Sequence, residues 1–229
     1  MTKEKGFNID PSWKGVVRWG GISLFAGAAI LVIFVLSVFI TQQTLPVPAE
    51  EALENPLGPT LLFLFAAIGE LLLMLGGLGL YFALKEVKKT AMLIATALWM
   101  VAPLMFLASR GLVISLSQIS DSYLNTTDAT IKAAYLASAE LAIETQSIYA
   151  YMALICLNVA AIIIGVVMLK GHFGKRIGYL VIAAGIVTLF TPFGVIMELP
   201  IIIPFIGLVL TAVWQLVVGF KLYKLGRDV

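Results

Sequence analysis

The chain has 229 residues, 61% of them hydrophobic and 12% charged, with a net charge of +2 and a mean hydropathy of +1.03. A soluble domain is about a quarter charged, so this chain lacks the polar groups needed to cover a water-facing surface. No basic patch is interleaved with aromatics, which argues against nucleic acid as a partner, and the expected environment is the lipid bilayer.

Residues 1–18 are mixed and basic and read as a cytoplasmic interfacial segment. Asp10-Pro11 suits an N-cap followed by proline at the first helical position, and Trp13 and Trp19 suit the headgroup level. The first span is expected at 19–41. It is too long for a signal-peptide core and has no small-x-small site after it, so it reads as a retained signal anchor. Residues 42–58 form a polar connection with Pro46, Pro48 and Pro56 and three carboxylates, in which Ala49 to Asn55 suits one or two turns of interfacial helix. The second span, 59–84, contains Glu70. A tight loop, Lys85-Glu86-Val87-Lys88-Lys89, leads to the third span at 90–118, which continues as helix to about Tyr123. Residues 119–147 form an outer helical hairpin. The fourth helix is amphipathic from about Thr127 and crosses at 148–170. A basic loop over 170–176 precedes the fifth span, 177–197, where Pro192 is expected to introduce a kink. Glu198-Leu199-Pro200 reads as a turn. The sixth span is 201–220, with Pro204 in its first turn, and the transmembrane domain as a whole covers 19–223. Residues 224–229 are a cytoplasmic tail. Each apolar run reaches about the 20 residues needed to cross ~30 Å of hydrocarbon.

The expected fold is therefore all-α: a polytopic bundle of six transmembrane helices arranged as three hairpins, with the third and fourth helices extended on the outer side. Lysine and arginine decide its orientation. Thirteen of the fifteen lie in the N-terminus, second loop, fourth loop and C-terminus, and one, Lys132, in the remaining loops. This asymmetry places both termini in the cytoplasm of a multi-pass protein of the cell membrane. The even-numbered spans end in Gly79…Lys85, Gly165…Lys170 and Gly219…Lys224, a weak echo that three tandem hairpins would give.

The remaining cation, Arg110, stands within an apolar run. It lies 21 residues past Lys89, about 31 Å along a straight helix, near the outer edge of the hydrocarbon. If the helices fold back about Leu124-Asn125-Thr126-Thr127, Arg110 falls opposite position ~141 and faces the gap between Glu140 and Glu144, one turn apart. A snorkelling arginine is the plain alternative. The residues Glu140, Glu144, Ser147, Tyr151, Leu154, Asn158, Ala161 and Gly165 recur at alternating steps of four and three and share one stripe of the fourth helix. Such a stripe must face protein or a wet cavity, as a packing seam or as a pathway. Glu70 is the deepest carboxylate and needs a partner or a proton. In straight antiparallel spans its depth is within ~8 Å of Arg110, so it is a proton or cation site or a structural partner for that arginine. Gln215 and Thr211 share a face of the sixth span and suit hydrogen bonds across helices. Thr188, Thr191 and Pro192 suit a locally opened backbone, and Asn125-Thr126-Thr127 matches a glycosylation sequon.

One cysteine, Cys156, excludes an intrachain disulfide, and one histidine, His172, excludes a bis-histidine haem and a histidine-rich zinc site. No cofactor, metal or catalytic set is expected, since the histidine and the serines beside Arg110 fall on opposite sides by the charge rule. The segment Glu198-Leu199-Pro200-Ile201 through Trp214, then Val217-Val218-Gly219-Phe220, resembles a six-span family of bacterial and archaeal membrane proteins described only as a domain of unknown function. Length and span number agree over nearly the whole chain. The resemblance implies architecture and carries no site residues. On this reading the chain is a partner-binding, assembly or sensing module, alone, as a homo-oligomer or with a membrane-protein partner. The alternatives are a small transporter or channel component using Glu70, Arg110 and the fourth-helix stripe, or an intramembrane enzyme acting on lipid.

Overall fold

The computed structural model of the chain describes residues 10–40, 47–193, 200 and 202–227, and these are helical with short connections and no strand. A 3-10 turn, Pro11–Trp13, opens into α1, Lys14–Ile40. Asp10 caps this turn as expected. It accepts from the backbone N–H and the hydroxyl of Ser12, and these bonds hold its carboxyl below the usual range. There follow α2 (Ala49–Glu54), α3 (Leu57–Leu84), α4 (Lys89–Asn125), α5 (Ala129–Met168), α6 (Lys175–Leu189), a second 3-10 turn (Thr191–Phe193) and α7 (Ile202–Arg227).

Among the described residues, five helices are long and apolar enough to cross a membrane: those at Pro11–Phe34, Leu57–Leu84, Lys89–Asn125, Ala129–Met168 and Phe205–Arg227. The chain is thus a membrane protein by helix length and composition. The expected fifth span differs. Its α-helix, α6, stops at Leu189 after 15 residues, and Pro192 lies in the 3-10 turn beyond it instead of kinking a continuous helix. Proline cannot donate the next helical bond and disfavours helix in the residue before it, which accounts for the stop. The remainder of that expected span and Glu198-Leu199 lie outside the described residues.

The six longer helices close into a ring. α1 packs on α3, α3 on α4, α4 on α5, α5 on α6, α6 on α7, and α7 returns to α1. α4 and α5, at 37 and 40 residues, exceed the ~20 needed for a crossing and extend together as a hairpin. Asp128 caps the returning arm by accepting from the N–H groups of Thr130 and Ile131. α2 docks on this extension. Ser120 donates to the carbonyl of Leu53, and Leu53, Leu116, Tyr123 and Ile143 form a small separate core.

The opposite end carries Lys14, Arg18, the 85–88 and 170–174 loops and the end of α7, and it is tightly closed. A Cβ on Gly20 would stand 2.5 Å from Gly79 Cα, and one on Gly21 would stand 2.7 Å from the Gly219 carbonyl. Only glycine lets the backbones of α1, α3 and α7 approach this closely. The echo glycines Gly79, Gly165 and Gly219 all sit at such contacts, but on different partners: Gly20 of α1, Gly178 of α6 and Gly21 of α1. They mark close packing at one end and not three equivalent interfaces.

Candidate functional site

Glu70, Arg110, Asn158, Thr188, Thr191, Thr211 and Gln215 gather on a central cavity of about 410 Å³. On α1 its lining begins at Gly27, beyond the Gly20–Gly21 contacts. On α3 it ends at Leu73 and on α7 at Gln215, each before the glycines that close the bundle. The cavity therefore occupies the half of the ring away from the basic end. Beneath it Trp99 and Trp214 meet edge to face with centroids 5.7 Å apart, and Trp99 Nε1 donates to the Leu73 carbonyl at 2.7 Å. The Trp99 indole occupies the space that a side chain on Gly77 would need.

Glu70 and Arg110 both line the cavity. Arg110 Nη2 lies 3.7 Å from Glu70 Oε1, and both side chains are largely buried. The guanidinium is also boxed by three rings, with Phe63, Phe34 and Phe106 centroids at 5.0, 5.4 and 5.7 Å. The guanidinium lies over each ring within reach of a cation–π contact. The acidic partner of Arg110 is Glu70 of α3, one of the two pairings the sequence allows.

The expected pairing with Glu140 and Glu144 is corrected. Both carboxylates are exposed, and the ion pair Arg110 makes is with Glu70. Two physical reasons account for this. Ser109 donates to the Gln146 carbonyl at 3.1 Å, so the α4 and α5 arms meet about one turn further along α5 than the counting placed them. In addition, α4 presents Arg110 to the interior of the ring, while Glu140 and Glu144 stay on the outside of the hairpin. Changing both to glutamine is accordingly expected to alter unfolding stability in detergent by less than about 0.5 kcal/mol. A loss as large as that of Arg110→Ala would restore the hairpin pairing.

The rest of the fourth-helix stripe divides by depth. Leu154 and Asn158 line the cavity, Ala161 and Gly165 are buried against neighbouring helices, and Tyr151 is half-buried and off the lining. Asn158 Nδ2 donates back to the Leu154 carbonyl at 2.7 Å. On the facing side Thr188 and Thr211 share a hydrogen bond of 3.2 Å, a cross-helix contact of the kind expected for that face of α7. Thr191 and Gln215 complete the polar lining. Four of these polar atoms have no hydrogen-bond partner among the described residues: Glu70 Oε2, Arg110 Nε, Thr191 Oγ1 and Gln215 Oε1. Buried polar atoms are normally satisfied, so these four set their residues apart within the lining.

Comparison with family models, with curated proteins and with solved structures returned no match. The site therefore rests on its own chemistry. Among the described residues it has seven polar side chains on an aliphatic and aromatic wall, with one cation and one anion. The phenylalanine box was the part not anticipated. Phe106 stands one turn before Arg110 and Phe63 two turns before Glu70, a spacing that placed both rings on the charged faces. Phe34, on α1, carried no comparable signal.

Proposed function

We propose that this chain is a six-span membrane protein, with both termini cytoplasmic, that binds a small amphipathic molecule in its central cavity as a non-catalytic binding or sensing module. The cavity, walled by all six longer helices and holding four unsatisfied polar atoms, is the observation that carries this reading. The succession of packed neighbours agrees with three hairpins in sequence. α6 and the 3-10 turn after it together rise about 28 Å, close to the ~30 Å of a crossing. The charge asymmetry supports the orientation, with the cavity in the outer half. The resemblance to the six-span family fits the same architecture.

The test uses protein in phosphatidylcholine nanodiscs and 1-aminoanthracene, a small neutral fluorophore that brightens in apolar sites. Saturable binding is expected. Leu208→Trp, which fills the cavity, should weaken it about tenfold or more while leaving the thermal midpoint intact. Binding that does not saturate, or that ignores Leu208→Trp, would remove the cavity as the functional site.

A second reading is favoured by the asymmetry between the sealed basic half and the hollow outer half. That shape suits one state of a carrier with alternating access. Under it, vesicles containing the protein would pass the bound molecule across the bilayer, and Glu70→Gln and Arg110→Ala would each abolish that flux. Binding without flux would leave the module reading alone.

A further inference from the structure

The charge and hydrogen-bond balance of the cavity narrows what it accepts, given the ligand-binding reading above. Among the described residues, the charged groups facing it are Glu70 from α3 and Arg110 from α4. The two form an ion pair and offset each other's charge. A bound carboxylate or ammonium would leave one net charge in a low-dielectric chamber, which is costly. The unsatisfied atoms are of mixed kind. Glu70 Oε2 and Gln215 Oε1 accept, Arg110 Nε donates, and Thr191 Oγ1 does either. Glu70 and Gln215 are 8% and 1% exposed, so bulk water does not satisfy them freely. Hydroxyl groups both donate and accept, which suits a lining of mixed donors and acceptors. The remaining lining is aliphatic and aromatic. Phe205 reaches from the cavity to the outer surface of the bundle, where it is 49% exposed, so an apolar chain has a path toward the bilayer.

We propose that the cavity takes an uncharged amphiphile with a hydroxylated head group, the head set among Glu70, Arg110, Thr191 and Gln215 and the aliphatic tail against the leucine and phenylalanine wall. The test is displacement of 1-aminoanthracene by three probes of one chain length: 1-decanoylglycerol, decanoate and decylammonium, in nanodiscs at neutral pH. Decanoylglycerol is expected to compete at about tenfold lower concentration than either charged probe. Gln215→Leu should raise the concentration it needs by about tenfold, the worth of one buried hydrogen bond. Thr191→Val serves in its place if Gln215→Leu does not fold. Equal or better competition by decanoate or decylammonium, or no change in the variant, overturns the proposal. If none of the three displaces the fluorophore, the ligand class is wrong while the cavity reading stands. If the fluorophore itself does not bind saturably, both fall.

Discussion

Glu70→Ala is expected to destabilise the folded protein by about 3–5 kcal/mol, read as a fall in the unfolding midpoint in detergent, because it leaves a buried guanidinium without its carboxylate. Arg110→Ala should cost less. A carboxyl can take a proton and become neutral, whereas a guanidinium stays charged. Phe34, Phe63 and Phe106 recover part of the cost for the cation, since they remain around it in the Glu70 variant. Replacing both residues by methionine should bring stability back to within about 1–2 kcal/mol of the natural chain, because a buried ion pair is weakly stabilising compared with apolar packing. The same double variant should no longer bind a hydroxylated amphiphile. Additive losses in the double variant would show that the two side chains do not interact.

Gly77→Val is expected to cost about 1–3 kcal/mol from overpacking, with more from displacement of Trp99. The indole occupies the space the new side chain needs, and its Nε1 bond to Leu73 and its edge contact with Trp214 back the cavity floor at Leu73 and Gln215. Pairing the change with Trp99→Leu should recover part of the stability but open the floor. Gly111→Ala is the contrasting case. It lies inside α4 with open space around it, so alanine should stabilise the protein by up to about 1 kcal/mol through helix propensity. A similar loss at both positions would mean that the glycines act through backbone flexibility and not through close packing. Thermal unfolding of the three variants decides this.

Most of the helices were legible because apolar runs are bounded by lysine and proline, as at Leu84-Lys85 and Pro56-Leu57. The caps at Asp10 and Asp128 and the short α2 also follow from local residue chemistry. The fate of residues 177–197 did not follow. A continuous apolar run reads as one helix, and whether Pro192 kinks or ends it depends on the backbone around Thr188 and Thr191. Among the site residues, the depth of Glu70 relative to Arg110 was legible from counting along two antiparallel helices. The direction in which Arg110 points was not, because position along a helix leaves open which of two neighbours a side chain meets. Periodicity gathered Leu154 and Asn158 onto one stripe with Glu140 and Glu144, but a 40-residue helix carries a stripe past both the core and the exterior. The cavity itself depends on α7 closing onto α1, a contact between the two ends of the chain that no local pattern encodes.

The central claim is that the ring of helices encloses a chamber keyed by the Glu70–Arg110 pair. A cryo-electron microscopy map of the protein in a lipid nanodisc tests it most directly. The map is expected to show the Arg110 guanidinium on the Glu70 carboxylate inside a hollow walled by six helices, with density of a bound molecule against Gln215 and Thr191. A collapsed interior, with Arg110 turned to lipid or to Glu140 and Glu144, would contradict it.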